Sequence, residues 1–435
     1  MPSRRNYWCW TLTAAAVGVA LRALYVLVFV RGRMPLYGDA WNYHHLGGLL
    51  ADGHGYVQVT AYLDRGELIP TAEFPPLYPM LLALVDLIGI GSSVGQRLVG
   101  AVLGGVTIVV IGLLGAAVAG RTVGIIAAWI AALYPQLVLI DGSLMSEGLY
   151  VLIIALLLLS VVHARAAESA RLRMKWWTLA SVMLGLAVMT RTEALLLLPL
   201  LLVPATRVVG DRRAWARAAA VGCAGAVCMT GAWTVRNSIA LDHFQPLTNN
   251  GGSLLAGANC KEVYSGVFIG SWRFDCIPAS SSRDETVRLA EARDVGIAFM
   301  RDHADELPAV VAARLGRTFG AWDIRSSLVI EQYQGRDYHW LWAAWFIWLA
   351  LAPVAVLGAV VHRRAGRELW PLLASVVTVV LVTMTTYGSQ RFRAAAEPSI
   401  IVLAAVGLVA CVSRVRRTAS RSMGRAQDSV TATAV

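Results

Sequence analysis

The chain has few charged residues. Asp, Glu, Lys and Arg together make up 15% of its 435 residues, whereas 57% are hydrophobic. A soluble protein of this composition would have to bury many helices with almost no polar face, so the scarcity of charge excludes that class. Apolar runs near the roughly 20 residues that cross a bilayer predict an all-α, polytopic membrane protein instead. The net charge of +11 is spread over separate segments, so we expect no nucleic-acid partner.

Cysteine and lysine are also scarce. Of six cysteines, only Cys260 and Cys276 lie in a long loop between hydrophobic runs. An oxidising cell exterior would permit a disulfide between them, and two free thiols are the alternative. Only Lys175 and Lys261 are lysines among 38 basic residues, which indicates a bacterial source with a GC-rich genome and does not bear on mechanism.

The hydrophobic runs predict about ten transmembrane helices. The first follows Arg4 and Arg5 but is longer than the apolar core of a signal peptide and lacks a clear cleavage site, so we expect it to be retained. The predicted spans cover residues 10 to 30, 94 to 119, 123 to 140, 145 to 162, 176 to 190, 194 to 206, 218 to 234, 339 to 361, 369 to 387 and 397 to 412.

Basic residues in the short connecting loops predict the orientation. With the N-terminus inside, the cytoplasmic pieces hold 19 of the 38 Lys and Arg but only four of the 27 acidic residues. Cytoplasmic loops of membrane proteins are enriched in Lys and Arg. Both termini are therefore predicted to be cytoplasmic in a multi-pass plasma-membrane protein. Residues 1–412 form the membrane domain, with outer loops at 31–93 and 235–338, and residues 413–435 form a basic, disordered tail.

Ionisable residues recur at the outer ends of the predicted spans. Taken singly, the acids suit helix N-termini and the arginines suit contacts with lipid phosphates. Five turns that place such groups at one depth favour a shared cleft, because charge at the membrane boundary is costly unless it is paired or lines a cavity. The set comprises Asp39, Asp141, Glu147, Arg191, Glu193, Arg236, Arg391, Arg393 and Glu397.

This combination suits group transfer from a lipid-linked phosphate. An Asp can take the proton of an acceptor hydroxyl, and Arg offers donors in a fixed fork to a departing phosphate. Asp39, which follows the first span, is the candidate base. Arg191, Arg236, Arg391 and Arg393 are the candidates for binding the donor phosphate.

Several motifs in this order resemble the dolichyl-phosphate-mannose-protein mannosyltransferase family, whose bacterial branch includes the lipid A aminoarabinose transferases. The similarity covers residues 10 to 412. The motifs are Gly38-Asp39, Glu73-Phe-Pro-Pro-Leu-Tyr-Pro79, Arg97, Ser146-Glu147, Arg191-Thr-Glu193, Trp233-Thr-Val-Arg236-Asn237, Pro246-Leu-Thr-Asn-Asn-Gly-Gly252, Gln390-Arg391-Phe392-Arg393 and Glu397-Pro398.

The resemblance implies a GT-C fold, an active site on the outer face and a polyprenyl-phosphate sugar as donor. It implies that Asp39 is the catalytic base and that Asp141 or Glu147 is the acid of the third-to-fourth turn. Many family members carry a second acid directly after the catalytic Asp, whereas this chain has Ala40. We therefore leave the acceptor open as a glycan, a lipid or a protein.

The resulting hypothesis is an inverting glycosyltransferase that moves a hexosyl or pentosyl group to an acceptor hydroxyl. Asp141 and Glu147 would orient hydroxyls or hold a divalent cation, and His44, His45 and His54 are further potential ligands without a recognised metal-binding spacing. A transporter or flippase for lipid-linked sugars is the alternative, although no internal repeat supports it. A non-catalytic scaffold with the same fold is the third possibility.

Overall fold

The computed structural model describes residues 2–33, 38–206, 212–282 and 284–432, and these residues form an α-helical protein. Within those ranges the β-structure is limited to one isolated bridge, between Val57 and Pro70. The first nine helices are α1 (Arg4–Leu24), α2 (Asp39–Ala51), α3 (Val59–Arg65), α4 (Leu77–Leu87), α5 (Ser93–Ala119), α6 (Arg121–Leu133), α7 (Pro135–Asp141), α8 (Glu147–Ala166) and α9 (Ala170–Thr190). The remaining nine are α10 (Val203–Thr206), α11 (Arg212–Ala240), α12 (Gly251–Ala258), α13 (Glu285–Asp302), α14 (Leu307–Thr318), α15 (Ile324–Gln332), α16 (Tyr338–Arg364), α17 (Trp370–Thr385) and α18 (Glu397–Ala432).

Helices lie at all ten predicted spans. Six of them are long and apolar enough to cross a membrane, and the bent pair α6 and α7 makes a seventh. The other three predicted spans correspond to α9, to the shorter apolar segment Thr192–Thr206 and to α17. The prediction of an all-α, multi-pass membrane protein is therefore confirmed.

Small residues allow neighbouring spans to pack closely. Gly120, with φ +96°, makes the turn between α5 and α6. A Cβ on Gly124 would come within 2.5 Å of the carbonyl oxygen of Gly112 on the facing helix. Close backbone approach through small residues is the usual basis of helix association in membranes.

A sharp bend separates α6 from α7. The two helices meet at 61°, at Tyr134 and Pro135. Proline disfavours helical backbone in the residue before it, and Tyr134 is accordingly extended, with φ −71° and ψ 113°. The bend directs α7 towards the turn of residues 142–146, which leads into Glu147 at the start of α8.

The two loops predicted to lie outside form one bonded layer. Glu285 at the start of α13 accepts hydrogen bonds from the Thr71 hydroxyl (2.8 Å) and from the Ala72 amide (3.3 Å), which joins the loops to each other. The second loop also bonds to the segment after α17, because the Gly388 amide donates to the Gly270 carbonyl oxygen at 2.8 Å. The predicted disulfide between Cys260 and Cys276 closes part of this loop.

The last helix differs from the sequence prediction. Residues 413–435 were expected to form a disordered tail, but α18 continues as one helix to Ala432. No proline interrupts this segment, and its Ala, Arg, Met and Gln residues have good helix propensity. Residues 433–435 lie outside the described ranges, and the boundary of the membrane domain at residue 412 stays a prediction.

Candidate active site

Asp39 is the first residue of α2. Gly38, with φ +117° and ψ −176°, occupies a conformation open essentially to glycine alone and turns the chain into the helix. The Asp39 side chain keeps 35% of its surface exposed, and its Oδ2 accepts a hydrogen bond of 2.8 Å from Nη2 of Arg391. The candidate base is therefore both paired and accessible to a substrate.

Arg391 begins a continuous series of ion pairs, which we call the ion-pair ladder. Its Nε donates to Oε1 of Glu147 at 2.7 Å. The same oxygen accepts from Nη1 of Arg191 at 2.8 Å, and Nε of Arg191 pairs with Glu193 at 2.5 Å. The ladder thus runs in the order Asp39, Arg391, Glu147, Arg191, Glu193, and it joins four segments that are remote in sequence.

The ladder is buried at its centre and open at its ends. Glu147 is fully buried, whereas the side chains of Asp39 and Glu193 keep 35% and 22% of their surface exposed. Burial alone would lower the pKa of Arg391, but the carboxylates of Glu147 and Asp39 raise it well above its usual value. The pKa of Arg191 is raised in the same way, against burial, by Glu193 and Glu147. Both guanidinium groups stay charged at any relevant pH.

Each guanidinium keeps donor capacity. Within the described part of the chain, Nη1 of Arg391 and Nη2 of Arg191 donate no hydrogen bond. Arg191 also lies over the Phe392 ring, 5.8 Å from its centroid. An anion that reached the ladder could therefore accept hydrogen bonds from the unused N–H groups of Arg391 and Arg191.

A second buried ion pair supports the turn that carries Arg391. Ser389 caps the 3₁₀ turn Gln390–Ala395, and its Oγ accepts from the Arg391 amide at 3.3 Å. The Ser389 hydroxyl donates to Glu331 at 2.5 Å, and Arg336 donates to the other oxygen of Glu331 at 2.6 Å. These contacts fix the backbone from which Arg391 reaches Asp39.

Asp141, the other candidate acid of the third-to-fourth turn, is not part of the ladder. It is buried, and its Oδ2 accepts from Nε of Arg22 at 2.7 Å. Arg22 also donates to the carbonyl oxygens of Ala131 and Ala132, so this pair fastens α1 to the bent pair α6 and α7. The structure thus pairs Asp141 with Arg22, whereas Glu147, the other candidate acid of that turn, belongs to the ladder.

Arg393 also lies outside the ladder. It is 1% exposed, pairs with Glu397 at 3.2 Å and stacks on the Trp348 ring at 4.0 Å. Its remaining contacts are with the Thr318 carbonyl oxygen and the Tyr134 hydroxyl, both at 3.4 Å. This environment makes Arg393 a packing residue between helices, so its predicted contact with phosphate has no geometric support.

Arg236 performs a different structural task. It donates to the carbonyl oxygens of Tyr56 at 2.9 Å and Thr71 at 2.8 Å, and its guanidinium lies over the rings of Tyr56 and Trp233. It therefore ties the first outer loop to the end of α11. Of the four arginines predicted to bind phosphate, Arg191 and Arg391 are the two that the structure brings together.

Glu73 is a candidate site residue to which the sequence assigned no role. Its carboxyl is partly buried, and burial together with the charges of Glu285 and Asp39 raises its pKa to about 8. It therefore carries a proton at neutral pH and lies within the electrostatic field of Asp39. One sequence feature could have indicated a role for Glu73: it is the only acidic residue of the motif from Glu73 to Pro79.

The three histidines considered as metal ligands do not converge. His44 pairs with Gln96 at 2.8 Å, His54 pairs with Tyr62 at 2.9 Å, and His45 packs on Trp41. In the described ranges, the group of three potential metal ligands that lie close together is Cys260, Glu262 and Cys276, and its cysteines form the disulfide.

The fold has clear counterparts among solved structures. It is similar to an oligosaccharyltransferase from Archaeoglobus fulgidus tethered to an acceptor peptide that contains the NVT sequon, with TM-score 0.59 and 14% identity over 96% of this chain and 51% of that chain. The same archaeal enzyme, AglB, in complex with an inhibitory peptide and a dolichol-phosphate gives TM-score 0.54 and 14% identity over 96% and 52%. ArnT from Cupriavidus metallidurans bound to undecaprenyl phosphate gives TM-score 0.45 and 14% identity over 92% and 78%.

The similarity to the archaeal structures concerns the fold, which is that of the GT-C membrane glycosyltransferases. This chain spans about half the length of the archaeal structures that it matches. Within that class, residues 73–235 match the model of the dolichyl-phosphate-mannose-protein mannosyltransferase family, which confirms the resemblance found in the sequence. None of the curated proteins matches the sequence.

Proposed function

We propose that this protein is an inverting glycosyltransferase that takes its sugar from a polyprenyl-phosphate donor. The observation that carries the proposal is the geometry at Asp39. An accessible carboxylate lies 2.8 Å from a guanidinium nitrogen whose charge is fixed by a second, fully buried acid, Glu147. A base and an anion-binding cation thus share one cleft, as phosphate-leaving transfer to a hydroxyl requires.

The reaction is a single displacement. Asp39 accepts the proton of the acceptor hydroxyl, and the acceptor oxygen forms a bond to the anomeric carbon of the donor sugar. The bond from that carbon to the phosphate oxygen breaks, and polyprenyl phosphate departs with the electron pair. One displacement at the anomeric carbon inverts its configuration. Arg391 and Arg191 stabilise the departing phosphate with their remaining N–H donors.

Glu147 acts as a positioning residue in this scheme. It is fully buried, and one of its oxygens accepts from both arginines, so it cannot reach a substrate and instead holds the two guanidinium groups together. Glu73 is protonated at neutral pH, which makes it a hydrogen-bond donor within the electrostatic influence of Asp39.

The proposed donor rests on the family and on the ladder together. The matched family is described by its use of dolichyl-phosphate-mannose, and the archaeal structure of the same fold contains a dolichol-phosphate. The sugar, hexosyl or pentosyl, is not specified by the ladder. The positive-inside distribution of Lys and Arg supports an active site on the outer face and cytoplasmic termini.

The ladder fits a phosphate better than a metal ion. A structure of the archaeal oligosaccharyltransferase contains Zn and sulfate, but here Asp39 and Glu147 are already neutralised by guanidinium groups. A divalent cation would have to displace Arg391 in order to bind both acids. The proposed reaction therefore includes no metal-dependent step, and Arg391 and Arg191 bind the phosphate.

The test uses the purified protein in nanodiscs with a panel of radiolabelled polyprenyl-phosphate sugars. Wild-type protein should release polyprenyl phosphate, and Asp39→Asn should reduce the rate at least about 100-fold, because general base catalysis contributes roughly 10²–10⁴-fold. Asp64→Asn changes an exposed acid of the same outer loop and should have no effect. Near wild-type turnover in Asp39→Asn would refute the base assignment. A panel without any turnover would favour the scaffold alternative.

A further inference from the structure

Four aromatic side chains form a row that leads from the outer surface to the ladder. We call Phe274, Trp272, Tyr387 and Phe392 the aromatic row. Ring centroids are 6.4 Å apart between Phe274 and Trp272, 6.4 Å between Trp272 and Tyr387, and 4.7 Å between Tyr387 and Phe392. The row ends beneath Arg191, whose guanidinium carbon lies 5.8 Å from the Phe392 centroid.

Exposure falls steadily along the row. Phe274 keeps 77% of its surface exposed, Trp272 and Tyr387 are partly buried, and Phe392 is buried. Phe274 lies in the disulfide-closed part of the second outer loop, outside the spanning helices. A row of this kind offers ring surface to a molecule that approaches from outside and directs it towards Asp39.

Hydrogen bonds hold the row in place without a ligand. Trp272 donates from its indole nitrogen to the Ser253 carbonyl oxygen at 3.2 Å. The Gly388 amide, next to Tyr387, donates to the Gly270 carbonyl oxygen at 2.8 Å. A binding surface ordered in advance loses less entropy when a ligand binds. Tyr387 also interacts electrostatically with both Asp39 and Arg391, so the inner end of the row reaches the proposed reaction centre.

We propose that the aromatic row is the acceptor subsite and that the acceptor is a saccharide; this inference rests on the proposed glycosyltransferase function. A sugar ring has an apolar C–H face, which packs on the negative face of an aromatic ring, and polar edges that need hydrogen-bonding groups. Arg273, which lies between Trp272 and Phe274 in the sequence, and its ion-pair partner Asp275 provide such groups.

Other acceptors fit these observations less well. A lipid acceptor requires a continuous apolar groove, but the charged residues Arg273 and Asp275 alternate with Trp272 and Phe274 along this segment. A peptide that binds by adding a strand to a sheet edge would find no sheet in the ranges that the structure describes, and a peptide that packs on the aromatic rings directly is an outcome that the experiment tests. The alternation of flat rings with charged groups matches the mixed surface of a saccharide.

The experiment measures transfer from a polyprenyl-phosphate sugar to an acceptor panel in nanodiscs. The panel contains octyl glycosides with one to four mannose or arabinose units, octanol, and a short peptide rich in Ser and Thr. The proteins are wild type, Trp272→Ala, Trp272→Phe and Phe274→Ala. Phe244→Ala is the matched control, because Phe244 is similarly exposed, at 80%, but lies in the segment after α11, outside the row. Release of polyprenyl phosphate to water is recorded in parallel.

Wild-type protein should prefer glycosides of two or more units over octanol and the peptide. Trp272→Ala and Phe274→Ala should raise KM for those glycosides about twofold to tenfold, which is the range that loss of one aromatic contact predicts. Trp272→Phe should recover most of the loss, and Phe244→Ala should match wild type. Hydrolysis of the donor by water should be measurable in wild type and unchanged in Phe244→Ala.

Two results would overturn the inference while leaving the proposed function intact. One is a preference for the peptide or octanol, and the other is a KM for glycosides that neither row substitution changes. Absence of donor turnover in wild type, with water or with any acceptor, would instead refute the proposed function. The parallel hydrolysis measurement therefore separates the two failures.

Discussion

Arg391→Lys tests whether the guanidinium fork of Arg391 matters rather than its charge alone. Arg391 uses Nη2 for Asp39 at 2.8 Å and Nε for Glu147 at 2.7 Å, two nitrogens that point in different directions. A lysine ammonium keeps the charge but can satisfy only one of these positions in the same geometry. A hydrogen bond to a charged group contributes about 1.5–3 kcal/mol, so loss of one should reduce kcat/KM for the donor about 10- to 100-fold.

The assay is steady-state release of polyprenyl phosphate in nanodiscs at saturating acceptor, normalised to folded protein. The loss should appear as a higher KM for the donor together with a lower kcat, whereas KM for the acceptor should change little. Arg325→Lys, at an exposed position on α15, serves as the matched control. If Arg391→Lys stays within about threefold of wild type in both parameters, the fork geometry does not contribute and the proposed phosphate site is wrong.

Three further predictions concern stability. Because the pKa of Glu73 is raised, the folded protein retains a proton that the unfolded chain releases, and stability should fall as pH rises from about 5 to about 8. Thermal unfolding measured across that range should show a smaller fall in stability for Glu73→Gln than for wild type. Asp141→Asn should lower stability by about 3–5 kcal/mol, because it leaves Arg22 buried without its ion-pair partner. Turnover per folded molecule should be retained in that variant, and a loss as large as that of Asp39→Asn would show that Asp141 acts in the chemistry. Removing the disulfide with the double change Cys260→Ser and Cys276→Ser should cost about 3 kcal/mol for a loop of this size, and a reducing agent should lower the melting temperature of wild type but not of the double variant.

The membrane architecture could be predicted from the sequence because it depends on local composition. Runs of apolar residues identify spans wherever they occur, and helices are found at all ten predicted positions. The sequence did not predict the bend at Pro135, nor the continuation of α18 into the segment that was predicted to be a disordered tail. A continuous apolar run shows where a membrane is crossed but not where the crossing bends, and low hydrophobicity after a span does not by itself end a helix.

The candidate site could be predicted only in part. Sequence order placed Asp39, Glu147, Arg191 and Arg391 at span ends on one side, and the ladder joins all four. The same reasoning also selected Asp141 and Arg393, which pair with residues of the membrane helices, and Arg236, which bonds to the first outer loop. A shift of one residue along a helix rotates the side chain by about 100° around the helix axis. Hydropathy therefore predicts how deep in the membrane a residue lies, but it does not predict which neighbouring helix the side chain faces. Pairing partners such as Arg22 depend on contacts between distant segments.

The bonds that join the two outer loops affect how substrates can reach the site. The second loop bonds both to the first loop through Glu285 and to the segment after α17 through Gly388, and these bonds oppose its movement as an independent flap. Under the proposed function, a donor with its tail in the bilayer would arrive sideways between helices, and a saccharide acceptor would arrive from the aqueous side along the aromatic row. The two substrates would then reach the site by separate access routes, and an excess of one substrate would not block access for the other.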